Sequence, residues 1–495
     1  MVYIYKKYML FALIVLVVLA ACSEKTKPSE SKPKETKAPK PNIIFILADD
    51  LGYGDLGCYG QQKIKTPHID QLALNGMRFT QHYSGSTVCA PSRSALMSGQ
   101  HTGHTYIRGN RELKGQEGQT PIPDSLVILP EALKTVGYTT GAFGKWGLGF
   151  VGSEGDPINQ GFDTFYGYNC QRMAHRYYPT HLWDNQEIDS LPGNDWIQKV
   201  TYAPDVIQKR MLRFIEENKE VPFFAYVPLI LPHAELISPQ DSILAKYAGK
   251  FEEPHPYKGG KSSGYGPNLK ISDYTPQEIP RATFASMVAR TDAYVGQIVA
   301  KVFELGIAGN TIIVFTSDNG PHVEAGADPE FFNSTGGLRG VKRDLYEGGV
   351  RVPMIVSWPG KIQKGSISQH ISAFWDFFPT IADITGTAVP EDIDGISFLP
   401  ALLGDQNQEQ HEYLYWEFIN RGGRQAVRMG DWKGVKYKVR TDKDAPMELY
   451  NLAIDPSETT NVASKHPEVV AQIEQLLSEA RVESELFPLF KESTP

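Results

Sequence analysis

Cys89 stands before Ala90, Pro91, Ser92 and Arg93, and that order of residue types suits chemistry on a small oxyanion. Pro91 fits the first position of a helix, where its missing N–H costs nothing, and Ser92 to Met97 can continue that helix. Arg93 follows Cys89 by four residues, so a guanidinium can return toward the sulfur. A helix N-terminus with a cation beside it favours negative charge. A single free cysteine is ordinarily an inert buried thiol. This local pattern reads instead as a cysteine to be oxidised to an aldehyde.

Two further clusters carry oxygen donors. Asp49-Asp50 ends the apolar run Asn42–Ala48, and Asp318-Asn319 lies just beyond the apolar run Thr311–Thr316. Carboxylates and an amide with no histidine cluster at ligand spacing suit a hard cation, calcium or magnesium, rather than zinc. An acidic pair at one strand end is commonly a cap or a solvated turn. Two such pairs on matching strand ends point to a metal.

The elements that must position these residues are legible as a pattern. Continuous apolar runs are expected of strands covered on both faces in a parallel sheet. Leu129 to Val136 reads as a helix, Tyr138 to Phe143 as a strand leading into Lys145, and Phe284 to Val302 as a long helix closed by Gly306. Alternation of strand and helix predicts an α/β fold with a doubly wound, mostly parallel central sheet. Ligands of such sheets bind beyond the carboxyl ends of the strands, where Asp49, Asp50, Lys145, Asp318 and Asn319 all fall. Residues 42–380 are expected to form this catalytic domain. From 381 to 495 the texture changes to short aromatic runs (Tyr413–Phe418, Gln425–Arg428, Lys433–Tyr437, Glu448–Leu452), which predict a smaller α+β subdomain with an antiparallel sheet. His466 to Arg481 reads as its closing amphipathic helix.

The 495 residues, 41% hydrophobic and 21% charged, are those of an ordinary globular chain. A net charge of -8 argues against non-specific nucleic-acid binding, so any anionic substrate must be held by locally concentrated cations. Lys6, Lys7 and the apolar Met9–Leu19, followed by Leu19-Ala20-Ala21-Cys22, read as a signal peptide over 1–21. The cysteine placed after small residues is similar to a bacterial lipobox, which would make Cys22 the lipidated first residue of an exported, membrane-anchored protein at the periplasmic or cell surface. Residues 22–41, rich in Lys, Glu, Ser, Thr and Pro, read as a flexible tether. Cys58 and Cys170 are left as one disulfide or two free thiols.

Taken in order, several motifs resemble those of the formylglycine-dependent sulfatases, in the alkaline phosphatase superfamily. They are Asp49-Asp50, Cys89-Ala90-Pro91-Ser92-Arg93 through Gly99, Gly144-Lys145-Trp146, Ser317-Asp318-Asn319-Gly320, Gly340-Val341-Lys342, Glu347 to Pro353, and Leu449-Tyr450-Asn451-Leu452 with Asp455-Pro456. The resemblance implies that a maturation enzyme oxidises Cys89 to formylglycine, whose hydrate attacks sulfur and then expels sulfate as the aldehyde re-forms. It implies that Asp49, Asp50, Asp318 and Asn319 hold a cation together with an oxygen on residue 89, with calcium ahead of magnesium. Arg93, Lys145 and Lys342 would neutralise sulfate oxygens, and His233 would protonate the departing oxygen.

One position departs from the pattern. Where much of the family has histidine after Lys-Trp, this chain has Gly147. His175 is the first candidate to enter from a neighbouring loop, His104 the second; failing both, water or His233 must suffice. His322, Arg172 and His175 are the candidate substrate contacts, with Arg176 and Tyr178 nearby and Trp416 and Arg421 on the far rim. The expected substrate is a sulfated carbohydrate, with galactose or N-acetylgalactosamine sulfate of glycans or algal polysaccharides foremost. A phosphodiesterase or phosphonate hydrolase of the same superfamily, and a non-catalytic glycan-binding lipoprotein hinted at by Gly147, are the alternatives.

Overall fold

In the computed structural model, which describes residues 40–113, 117–259, 274–442 and 444–490, the strand Asn42–Ala48 (β1) lies in the middle of the larger sheet. Its side chains alternate between two cores, as the pleat requires. Ile44, Ile46 and Ala48 pack on one face, with Met211, Phe214, Val288 and Val295. Ile43, Phe45 and Leu47 pack on the other, with Met97, Leu133, Phe377 and Phe378. Helices Pro67–Asn75 (α1), Ala203–Glu217 (α4) and Pro280–Glu304 (α5) therefore cover the first face. Helices Cys89–Ser98 (α2), Leu129–Thr135 (α3) and Phe377–Thr385 (α6) cover the second. A strand buried on both faces has no polar position to offer, which is why its sequence is apolar without alternation.

The remaining strands of this sheet are Met77–Tyr83 (β2), Thr139–Lys145 (β3), Thr164–Tyr168 (β4), His181–Asp184 (β5), Glu187–Ser190 (β6), Phe223–Pro228 (β7), Thr311–Ser317 (β8), Arg351–Ser357 (β9), Ser366–Ser368 (β10) and Ser372–Ala373 (β11). They run in the order β10-β2-β9-β8-β1-β7-β3-β4-β5-β6, with β11 beside β2. The centre, β8-β1-β7-β3-β4, is parallel. The flanks turn antiparallel at β9 and β5. The sheet is thus mixed and mostly parallel, with helices around it.

Register places the site. Ala48 pairs with Ser317 and Leu47 with Pro228, so β1, β7 and β8 end level with one another. The chain continues from β1 into Asp49-Asp50 and from β8 into Asp318-Asn319. Asp318 N–H donates to the Ala48 carbonyl at 3.0 Å, which fixes the two acidic turns side by side.

A second sheet, Leu414–Phe418 (β12), Arg424–Met429 (β13), Trp432–Tyr437 (β14) and Glu448–Asn451 (β15), is antiparallel throughout. Helix Pro467–Glu479 (α7) packs on one face through Ile473 and Leu477. The other face meets Tyr83, Val88, Ala95 and Trp375 through Trp416, Ala426 and Val435. Trp416 is fully buried and donates its indole N–H to the Ser84 carbonyl at 2.9 Å. It is a packing residue behind the Cys89 helix and not the cleft rim expected of it; Arg421 is exposed. The chain from Lys40 onward forms one compact unit, and α6 runs across position 380, where the change in texture suggested a boundary.

The expected signal segment and Cys22 lie outside the described residues. The last two tether residues are fixed to the folded part. Lys40 Nζ donates to the Val136 carbonyl at 2.7 Å, and Tyr138 donates to the Pro41 carbonyl at 2.8 Å. Cys58 and Cys170 are not joined to each other, which removes that disulfide alternative. No described helix is long and apolar enough to cross a membrane.

Candidate active site

Helix α2 begins at Cys89, two residues earlier than Pro91 suggested. The first four N–H groups of a helix have no partner within it, so proline at the third position sacrifices no more than at the first. The Ala90 N–H is taken up by Asn110 Oδ1 at 3.0 Å. All ten residues of the helix are buried, so Cys89 sits at an N-terminus enclosed by protein.

Around its sulfur, charges of both signs are interleaved. Cys89 Sγ lies 3.4 Å from Asp49 Oδ1. Burial, reinforced by Asp49, pushes the thiol up to about 12, so as a thiol it is no nucleophile near neutral pH. Asp49 Oδ2 accepts from Lys145 Nζ at 2.7 Å. Asp50 Oδ2 accepts from Lys342 Nζ at 2.7 Å, and its Oδ1 accepts from Asn319 Nδ2 at 2.7 Å. Arg93 grips Asp318 Oδ2 through Nη2 at 2.7 Å and Nε at 3.2 Å, and donates from Nη1 to the Lys145 carbonyl at 2.7 Å. The guanidinium therefore returns to the acidic turns, not only toward the sulfur.

Electrostatics follow from that interleaving. Burial opposes ionisation of Asp49, but Lys145, His233, Arg93 and Lys342 outweigh it and hold the carboxyl well below its ordinary range. Asp50 is lowered in the same way, mainly by His233 and Lys342 against burial. Asp318 goes the other way, pushed up to about 7 by burial and the neighbouring Asp49. Each of the three carboxylates has one cation, Arg93, Lys145 or Lys342, against it, and Asn319 Oδ1 is buried without a partner. A hard divalent cation fits that all-oxygen donor set. The group whose ligand atoms lie within 4.8 Å of one another, Asp49, Asp50, Cys89 and His233, shares Asp49 and Asp50 with that set and adds a thiol and an imidazole.

His233 closes the site from the loop after β7. Its Nε2 lies 2.8 Å from Lys342 Nζ and 3.3 Å from Asp50 Oδ2, while Nδ1 faces the Ala234 carbonyl. With the ammonium donating, the ring is neutral and carries its proton on Nδ1. Burial pushes it down to about 4, outweighing Asp50. His175 stacks on it at 4.1 Å between ring centroids. His104 goes elsewhere: its Nδ1 pairs with Asp394 at 2.8 Å and its ring stacks on His101. Of the two histidines considered for the gap at Gly147, only His175 borders the site.

His322 has both ring nitrogens engaged, Nε2 with the Pro232 carbonyl at 3.2 Å and Nδ1 with the Glu324 N–H at 3.1 Å. It braces the wall and leaves no nitrogen for a substrate. Arg172 and His175 line a cavity of about 460 Å³ with Glu112, Arg176, Tyr274 and Glu324. Glu324 was missed in the sequence. Burial opposes its charge, yet Lys342, His233 and Arg343 hold its carboxyl far below the ordinary range. Only its place two residues after His322 could have pointed to it.

The turn Glu347–Val350 sets the last pieces. Gly320 N–H donates to the Gly349 carbonyl at 3.0 Å, and Gly348 N–H to the Arg339 carbonyl at 2.7 Å. A Cβ at position 320 would stand 1.9 Å from the Gly348 carbonyl oxygen, so only glycine lets the two turns close.

Residues 41–387 match the sulfatase family model, and residues 340–483 match that of the N-sulphoglucosamine sulphohydrolase C-terminal region. The chain is 29% identical to an N-acetylgalactosamine-6-O-sulfatase of Bacteroides thetaiotaomicron, over 94% of this chain and 97% of the relative. It is 31% identical to arylsulfatase A of Homo sapiens, over 89% of this chain and 87% of the relative. The solved structure of Ps i-CgsB in complex with k-i-k-neocarrahexaose superposes with a TM-score of 0.73 at 27% identity, covering 92% and 95% of the two chains. With the acidic turns, the cations and Cys89 gathered at the strand ends, these matches show that the chain belongs to the sulfatase family and is a sulfuric ester hydrolase.

Proposed function

We propose that the protein is an exported, lipid-anchored sulfatase that removes sulfate from a saccharide, with galactose or N-acetylgalactosamine sulfate as the substrate class. The observation that carries this reading is the arrangement of Arg93, Lys145 and Lys342 against Asp49, Asp50 and Asp318 around one buried sulfur. Three buried cations balance the three carboxylates, and a divalent cation held there would leave the site net positive, which suits a sulfate group. The similar N-acetylgalactosamine-6-O-sulfatase supports the choice of sugar. So does the polar cavity beside His175, where arginine, glutamate and tyrosine offer hydrogen bonds on several sides.

Calcium held by Asp49, Asp50, Asp318 and Asn319 Oδ1 would supply Lewis acidity at residue 89. Oxidation of Cys89 to formylglycine by a maturation enzyme would supply an oxygen nucleophile where the thiol now lies. The chain's own groups do the rest. Lys145 and Lys342 are fixed by Asp49 and Asp50, so their ammonium groups are positioned before the ester arrives and lose little on reorganisation. Arg93 holds Asp318 and the Lys145 backbone together. The Lys342 ammonium donates to His233 Nε2 across 2.8 Å, and a departing alcohol oxygen would take its proton from this pair. The stacked His175 limits rotation of that ring.

The test is sulfate release from a panel of defined sulfated saccharides by the matured protein, with an aryl phosphate diester run beside them. Sulfate release from a galactose or N-acetylgalactosamine sulfate, faster than diester cleavage, is expected. Preference for the diester would overturn the reading in favour of a phosphodiesterase, and no turnover with intact ligand binding would favour a binding module. Anchoring is tested separately: Cys22→Ala should move the protein from the membrane fraction to the soluble fraction.

A further inference from the structure

Five buried amide atoms have no partner: Gln119 Nε2, Asn169 Nδ2 and Oδ1, and Gln171 Nε2 and Oε1. The three side chains are 2%, 0% and 3% exposed, as buried as Cys89 itself. They are tied together through the backbone. Gln171 N–H donates to Gln119 Oε1 at 2.8 Å, Gly147 N–H to the Asn169 carbonyl at 3.1 Å, and Gln119 N–H to the Gly149 carbonyl at 3.2 Å.

Their place is at the strand ends. Lys145 ends β3, and beyond it Trp146 and Gly147 N–H donate to the Tyr168 and Asn169 carbonyls at 2.9 and 3.1 Å, so Gly147 and Asn169 lie just past the carboxyl ends of β3 and β4. A Cβ on residue 147 would stand 2.3 Å from Gln171 Nε2. The Gln171 amide therefore fills the space that a side chain at 147 would take. On the opposite side, Thr120 N–H donates to the Arg111 carbonyl at 3.0 Å, and Asn110 Oδ1 accepts from Ala90 at the Cys89 turn. The amides thus lie between the lysine strand and the cysteine helix.

A buried donor or acceptor left unpaired destabilises a fold, so these five are not kept for stability. A primary amide donates and accepts, carries no charge and does not titrate near neutral pH. It therefore cannot take a proton from a nucleophile, but it complements hydroxyl groups, which also donate and accept. We propose that Gln171, with Asn169 and Gln119, forms a subsite that binds hydroxyl groups of the sugar carrying the sulfate ester. The inference rests on the sulfatase reading and identifies the saccharide side of the same site.

The experiment compares Gln171→Leu and Gln171→Ala with the parent in the matured, full-length protein. It measures melting temperature, kcat/KM on a sulfated monosaccharide and on 4-nitrophenyl sulfate, and calorimetric binding of the monosaccharide in a Cys89→Ser background. For both variants, kcat/KM on the saccharide should fall roughly 10–100-fold, the scale of one or two lost hydrogen bonds. The aryl sulfate, with no sugar hydroxyl to bind, should change by less than about 3-fold. Saccharide binding should weaken, and the melting temperature of Gln171→Leu should hold or rise, because an unpaired amide has been removed. Equal losses on both substrates, a lowered melting temperature with unchanged saccharide selectivity, or unchanged saccharide binding would assign the amides to buried water and overturn the proposal. A parent that cleaves the aryl sulfate but no saccharide contradicts the wider reading, and that failure is seen before any Gln171 variant is made.

Discussion

Lys433 is the residue whose removal should most clearly separate packing from charge in this fold. Its ammonium lies 2.8 Å from Glu347 Oε1 and 3.3 Å from Glu458 Oε1, and all three side chains are fully buried. Glu347 also accepts from Tyr83 at 2.6 Å, and its N–H donates to Glu458 Oε2 at 2.6 Å. Burial opposes the Glu347 charge, but Lys433, Arg351 and Arg428 hold it at about 2, whereas burial pushes Glu458 up to about 7. At an effective dielectric near 20, a 2.8 Å contact corresponds to roughly 6 kcal/mol of gross attraction. Most of that is offset by desolvation, and removing one partner of a buried pair costs about 3–5 kcal/mol. Lys433→Met should therefore lower stability by about 3–5 kcal/mol at pH 8, read from urea unfolding midpoints with unchanged slope. At pH 6 the loss should be smaller, because Glu458, at about 7 even beside Lys433, is then already protonated and one buried carboxylate fewer is left unpaired. Adding Glu347→Gln and Glu458→Gln should recover much of the loss. The turn that Glu347 opens also seats Gly320, so sulfatase activity should fall with stability. A Lys433→Met protein within about 1 kcal/mol of the parent would refute the reasoning.

The other expectations concern the site and its surroundings. Lys342→Ala should lower kcat by about 10²–10³, the scale for losing one fixed electrostatic contact to a transition state, as measured in steady-state turnover. His175→Ala should reduce turnover, whereas His104→Ala should leave it intact and act only on stability; the reverse result would remove His175 from the site. Chelation should abolish turnover, and added calcium should restore it better than magnesium. Acid should unfold the protein partly through His82 and His101, which burial pushes down to about 3 and about 4. The unfolded chain binds these protons below about pH 6.5 while the folded one does not, so stability declines as pH falls from there. Each histidine contributes a slope of up to about 1.4 kcal/mol per pH unit, and His82→Gln should flatten the measured stability profile.

Much of this site was legible because strand ends announce themselves. The apolar runs of β1 and β8 stop at Asp49-Asp50 and Ser317-Asp318-Asn319, and equal register follows from parallel pairing. Phe223–Pro228, the strand between β1 and β3, is too short and uniformly apolar to be told from a buried helical segment by period. The antiparallel flanks depend on long-range pairing that no local pattern records. Three departures share a cause in tertiary packing. Trp416, in the smaller subdomain, was expected on the far rim, yet it is buried behind α2. The helix began before Pro91 because Asn110, distant from it in the fold's local order, satisfies the freed N–H. Gln171 opens the loop that holds Arg172, His175, Arg176 and Tyr178, but nothing in a sequence shows that its amide will fill the space beside a glycine.

Sulfate release from one sulfated saccharide, compared between the matured protein and its Cys89→Ala variant, tests the role of residue 89 most directly. Release by the first and none above background by the second is expected, with both folded. Equal release from the two would contradict it, because the cations and carboxylates would then be arranged around a sulfur that takes no part.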